Sequence, residues 1–334
     1  MIKEVSILRV FAMLLVVFYH CIAFYTPSWG NVECYPIHLY TCYLLNSFHL
    51  PVFVFLSGYL YSNIFNLGKY NDTGHFYTNK IKRLLIPYTT VGILLLFLLP
   101  NRCSPIDLLN GISHLWFLVM LFNCFVIFHS LRSIWGAFTI KKEMFVLLLF
   151  FIFHMFSLYM QAQPRALCIG YTLQYSFWFY LGMVFQRNQD AIDRIVSRLP
   201  KSVFVLSIMV LLLLISMNFV PSIVPYKIFQ FLADIMVAFI IIYLYDSLKC
   251  NKLPTNALRL RFLGGVNFLD RASMDIYLIH HIAIVYALQY QSVKMIMTGH
   301  PFCAPLILFC SSLAISLLIS WSLDYIKNLI SFTK

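Results

Sequence analysis

The run Val5 to Tyr25, VSILRVFAMLLVVFYHCIAFY, is apolar and long enough to cross a bilayer, yet it carries Arg9 and His20. Eleven steps of about 100° make three turns plus roughly 20°, so both side chains project from one face, with Cα atoms about 16 Å apart along the axis. Each residue alone has an ordinary reading. Arg9 fits an anchor that snorkels to the cytoplasmic surface, and His20 fits a histidine hydrogen-bonded to a neighbouring helix. Held in register, the two predict a polar track along one wall of a bundle, and the remaining apolar runs are read as its other walls.

Composition settles the class. The chain has 334 residues, of which 61% are hydrophobic and 11% charged, with a mean hydropathy of +0.82. A soluble domain carries about a quarter charged residues. Apolar runs near 20 residues that contain Gly, Pro and aromatics suit helices rather than a porin-like barrel. The expectation is an all-α, polytopic transmembrane bundle forming a single domain over residues 1–334. No small-residue cleavage site follows the first run, and no soluble domain is evident at either end.

Ten spans are predicted: Val5–Tyr25, Tyr40–Ile64, Leu84–Pro100, Ile112–Leu131, Met144–Met160, Gly170–Phe185, Val203–Phe219, Ile228–Tyr245, Met274–Tyr290 and Ala304–Ile326. With the N-terminus inside, 20 of the 24 Lys and Arg residues fall on the cytoplasmic side. Only Arg102, Arg165, Lys227 and Lys294 fall outside, so every loop obeys the positive-inside rule and both termini are cytoplasmic. The net charge of +12 is therefore mainly topogenic and does not indicate a nucleic-acid partner. It also suits anionic lipids or a phosphorylated cofactor at the inner face.

The nine cysteines show no CxxC or Cys/His pair at zinc-ligand spacing, so no metal is predicted. Cys34, Cys103, Cys168 and Cys303 lie in or near outer loops, where a disulfide is conceivable, although spacing pairs none of them. Polar groups concentrate in four further stretches. FHLPVFVFLSGYL, Phe48–Leu60, places His49 at a depth similar to His20, with Pro51 loosening the backbone, Ser57 within the span and Gly58 permitting close approach. Its plain reading is a kinked packing helix with one satisfied histidine. KIKRLLIPY, Lys80–Tyr88, is either topology-setting charge or a phosphate landing site in which Lys80 and Arg83 lie one turn apart. Trp116, in HLWFL, fits an interfacial belt residue as well as a sugar-stacking platform. SMDIYLIHH sets Ser273, Tyr277 and His280 at i, i+4 and i+7, one polar stripe on an apolar helix, with Asp275 rotated away from His280. Asp234 is the one carboxylate far from any predicted surface, suited to an intramembrane His or Arg partner or a wet cavity.

In this order, Arg9 and His20, FVFLSGYL, KIKRLLIPY, LWFL and IYLIHH resemble the membrane-bound acyltransferase-3 family over essentially the whole chain. The resemblance implies transfer of an acyl group, most often acetyl, from cytoplasmic acyl-coenzyme A to a hydroxyl of a carbohydrate at or beyond the membrane. It also implies residence in the lipid bilayer of a bacterial inner membrane. The acceptor sugar, the acyl chain and the oligomeric state stay open. Lys80 stands where many members have an arginine, which weakens bidentate phosphate gripping there.

The residues suit that chemistry. His20 fits the base, because imidazole exchanges a proton near neutral pH. Arg9, always cationic, fits the donor's phosphates or their approach path, as do Lys80 and Arg83. Ser57, Tyr277 and His49 are candidates for oxyanion stabilisation, with none preferred. Two other classes fit a ten-helix polar bundle. A transporter or flippase would use Arg9, His20 and Asp234 as contacts, but no matched pair of broken helices suggests an inverted repeat. A non-catalytic component of envelope polysaccharide assembly would have no need of the Arg9–His20 register.

Overall fold

The computed structural model describes residues 3–26, 35–70, 72–99, 103–135, 139–219, 226–250 and 257–332. Cys34, Arg102, Lys252 and Lys334 lie outside them. Among the described residues there is helix and no strand. In chain order the helices are α1 (Lys3–Ala23), α2 (Pro36–Asn66), α3 (Thr73–Lys80), α4 (Ile86–Leu98), α5 (Asp107–Asn110), α6 (Trp116–Ser130), α7 (Arg132–Trp135) and α8 (Ile140–Tyr159). They continue as α9 (Ile169–Arg187), α10 (Gln189–Val196), α11 (Lys201–Ser216), α12 (Tyr226–Cys250), α13 (Ala257–Ala287), α14 (Gln291–Gly299) and α15 (Ala304–Phe332).

Among the described residues seven helical stretches are long and apolar enough to cross a membrane, two of them joining shorter helices (Thr73–Leu98 and Asp107–Ser130), or eight if α10 and α11, bent by 95° at their break, form one span. The two remaining predicted spans, Gly170–Phe185 and Met274–Tyr290, lie in α9 and α13. Both helices are long enough but more polar, with Thr172, Gln174 and Ser176 in one and Asp270, Arg271 and Asp275 in the other. Large apolar side chains such as Phe97, Phe145, Leu206 and Leu318 are exposed, whereas His49, His280 and Asp270 are buried. That distribution is what a helix bundle in lipid requires, since exposed apolar surface on this scale is a liability in water.

Two boundaries differ from the sequence reading. The predicted inner loop Lys249–Arg271 is helical from Ala257 onward, because no proline interrupts the stretch and Asp270 finds a cation. The basic cluster is also inside a helix rather than ahead of one. Asp72 caps α3, its side chain accepting from the His75 amide at 3.1 Å, and the helix runs on through Lys80. A π turn, Ile81–Leu85, then joins α3 to α4.

The chain forms two compact units, residues 1–50 with 200–334 and residues 51–199. In the first, α13 packs on α1 and α15, and α11 on α12. In the second, α9 packs on α8 and α6. The FLSGYL segment explains one contact in the second unit. A side chain on Gly58 would collide with the Phe179 carbonyl, and one on Gly182 with the Phe55 carbonyl, so α2 and α9 meet backbone to backbone. Glu143 closes the same unit, accepting from Arg187 at 2.6 Å and from Asn188 at 2.8 Å.

Candidate functional site

The polar face of α1 meets α13 in the first unit. Arg9 Nη1 lies 3.1 Å from Asp270 Oδ1, and the Asp270 side chain is 1% exposed against 24% for Arg9. Further along, the His20 ring centroid is 5.2 Å from that of His280 and 4.8 Å from that of His281. Residue numbers rise together through both contacts, so α1 and α13 run parallel. The step from Asp270 to His281 equals the step from Arg9 to His20, which is why the two helices match at both ends. Between those ends the α1 face is apolar and buried, with Ala12, Met13, Val16 and Val17. The seam is therefore charged at one end, dry in the middle and imidazole-rich at the other.

More rings gather at the His20 end. His49 of α2 lies 5.0 Å from Tyr19, which is 5.2 Å from His20, and Tyr277 is 6.0 Å from His280. The backbone sets two of the tautomers. His280 Nδ1 is 2.8 Å from the Ile276 carbonyl, which can only accept, so Nδ1 carries the proton and Nε2 holds the lone pair of the neutral ring. His49 Nδ1 donates to the Leu45 carbonyl in the same way. His20, His49, His280 and His281 are all buried. Such a cluster can accept a proton in a site with little water and return it later. Among the described residues, no group of three or more His, Cys, Asp or Glu is spaced to hold a metal ion.

The remaining sequence-predicted residues have other partners. The Ser273 hydroxyl donates to the Asp270 carbonyl at 2.8 Å, at the Arg9 end of the seam. Ser57, Trp116, Lys80 and Arg83 belong to the second unit. Ser57 donates to the Phe53 carbonyl of its own helix at 2.9 Å. Trp116 stacks on Tyr171 with centroids 4.1 Å apart. The Lys80 ammonium sits 3.5 Å from the Phe125 centroid, with Phe76 and Tyr70 at 5.5 and 5.6 Å. Arg83 is exposed. A π turn, Ile81–Leu85, begins between the two basic residues, so their spacing departs from that of a plain α-helix. Asp275 accepts from Ser320 at 2.6 Å, in keeping with its rotation away from His280, and Asp234 accepts from Gln230 at 3.2 Å. Cys168 and Cys303 are thiols rather than half-cystines. Burial pushes the Cys168 thiol up to about 12.

Asp270 and His281 were absent from the sequence-derived site. Their signal is present in the chain, since the eleven-step spacing of a charged residue and a histidine occurs in both helices. What the sequence lacks is any statement that these two helices are neighbours.

The family model described as an acyltransferase domain, acyltransferase-3, matches residues 2–323. No curated protein matches the chain, and no solved structure does.

Proposed function

The chain belongs to the acyltransferase-3 family and is a membrane acyltransferase, and on that premise we propose that it moves an acyl group, acetyl in the first instance, from cytoplasmic acyl-coenzyme A to a carbohydrate hydroxyl. The observation that carries this reading is the convergence of His20, His280 and His281 at one end of a buried seam whose other end holds Arg9. His20 takes the proton of the acceptor hydroxyl as its oxygen bonds to the thioester carbon. The tetrahedral anion collapses, the carbon–sulfur bond breaks, and the thiolate leaves with the proton held by His20. His280, fixed through Nδ1, positions the ring of His20 or shares its proton. Arg9, oriented by Asp270, serves the donor's phosphates, and Arg83 is a second cation suited to phosphate. The separation of about 16 Å along α1 suits an extended pantetheine arm and keeps Arg9 away from the reacting carbonyl.

Both termini and residues 67–83 are placed on the cytoplasmic side in this reading. What supports it is the distribution of basic residues, 20 of 24 on that side. Cysteine-labelling reagents applied outside intact cells should fail to tag positions in residues 67–72, and labelling there would overturn the topology. The function itself is tested with the purified protein in nanodiscs, labelled acetyl-coenzyme A and extracted envelope glycans. Labelled ester on glycan is the expected product. A folded protein that neither consumes the donor nor forms ester would return the chain to a transport role.

A further inference from the structure

We propose that the acceptor's sugar ring is held in an aromatic box beyond the His20 end of α1, built from Tyr25, Tyr35, His38 and Phe302, where the Nδ1 lone pair of His38 accepts a hydroxyl hydrogen. The inference rests on the carbohydrate reading above and gives that substrate a place. All four residues belong to the first unit, and three segments of chain bring them together. Tyr25 follows α1 in a tight turn closed by its own amide on the Ile22 carbonyl at 2.9 Å, and its hydroxyl donates to the Met297 carbonyl at 3.1 Å. Tyr35 and His38 open α2, while Phe302 sits between α14 and α15.

The four rings form one aromatic cluster. The Tyr25 and His38 rings stack with centroids 4.3 Å apart, Tyr35 meets His38 edge-on at 5.7 Å, and Phe302 lies 5.8 Å from His38 and 5.6 Å from Tyr35. His38 Nε2 donates to the Pro301 carbonyl at 3.1 Å, so in the neutral ring Nδ1 is a bare acceptor. Among the described residues that nitrogen has no hydrogen-bond partner, in a residue only 5% exposed. Buried acceptors are almost always satisfied, and a bound hydroxyl would satisfy this one. Phe302, at the mouth, is 62% exposed. A sugar presents C–H faces that pack on aromatic rings and hydroxyls that donate to an acceptor such as Nδ1.

Position links the box to the chemistry. Phe24, the residue before Tyr25, lies 6.3 Å from His281 between ring centroids. Tyr25 follows His20 by five residues, just past the end of α1. A sugar in the box can thus extend a hydroxyl toward the histidines. Trp116, the platform expected from the sequence, stacks on Tyr171 in the second unit.

The test uses the full chain in nanodiscs and a panel of methyl glycosides (gluco, galacto, manno and N-acetylglucosamine forms), read by saturation-transfer NMR. Saturation of ring C–H protons is expected for at least one glycoside, with loss in Phe302→Ala, an exposed position that should fold normally, and in His38→Leu. His38→Gln, which keeps a donor for Pro301 and an acceptor, should retain most of the signal, and Trp116→Ala should retain all of it. In the transfer assay, Phe302→Ala should raise the acceptor KM about five- to tenfold, the scale of one lost contact, and leave the donor KM unchanged. Saturation that survives Phe302→Ala and His38→Leu but vanishes in Trp116→Ala overturns the box. So does absence of any glycoside signal, or an unmoved acceptor KM, in a protein that acylates envelope glycans. Glycoside binding at the box without any transfer would uphold the box and sink the acyltransfer reading instead.

Discussion

Arg9 in the first unit and Lys80 in the second pose the same problem, a cation among apolar side chains, and the two units solve it differently. Arg9 Nη1 lies 3.1 Å from the Asp270 carboxylate, a pairing of opposite charges that joins α1 to α13. Lys80 meets ring faces instead, 3.5 Å from the Phe125 centroid, and among the described residues no carboxylate pairs with it. An ion pair of matched helices specifies register. A cage only shelters charge, and an anion can compete for its occupant. The difference separates a seam whose geometry must hold, where the histidines lie, from a cationic region that can adapt to a phosphate.

The strongest blow to the comparison falls at His20. His20→Ala should lower transfer by roughly 10²–10⁴ while donor binding survives, because a proton-transfer group is lost and no phosphate contact is. Isothermal titration with acyl-coenzyme A beside the rate assay separates the two, and near-normal turnover in a folded variant would move the base to His280 or His49.

Breaking the ion pair should come next. Asp270→Asn leaves Arg9 without its counter-charge and should cost about 2–4 kcal/mol, less than a fully buried pair because Arg9 retains some exposure. Arg9→Met with Asp270→Leu should recover most of that stability but bind the donor more weakly. If Asp270→Asn melts with the wild type, the pair does not set the register.

The cage is probed by a contrast. Arg83→Gln should raise the donor KM about tenfold through loss of a charge-assisted phosphate contact, whereas Lys80→Met should raise it no more than about twofold. Equal effects would show that Lys80 leaves its cage when the donor binds, and the two units would then differ less than their resting structures suggest.

The smallest effect belongs to Ser57. Its hydroxyl serves the Phe53 carbonyl of its own helix, so Ser57→Ala should keep turnover within about twofold and stability within about 0.5 kcal/mol. A large loss would place it at the reacting carbonyl.

How much of this was legible in the chain varies with the range of the interaction. Membrane class, helical content and the shared face of Arg9 and His20 follow from composition and a 3.6-residue period, which are local properties that tertiary contacts did not alter. The ladder of basic residues gave an orientation, which helix pairing does not decide, because parallel helices stay parallel when a bundle is inverted. Lys80 and Arg83 were read as one helical turn apart, and the turn Ile81–Leu85 that begins between them is a π turn rather than a regular one. No simple residue pattern marks such a widened turn.

By itself, then, the sequence determined that α1 carries a cation and an imidazole on one side, three turns apart, since a helix's own geometry dictates where its side chains point. Only the tertiary structure decided what they point at. Asp270, His280 and His281 lie far along the chain, and Tyr25, His38 and Phe302 come from three separated segments. Periodicity describes each helix relative to its own axis. Which helices become neighbours, and in which register, is settled by burying their polar groups against one another in a medium that offers those groups no water.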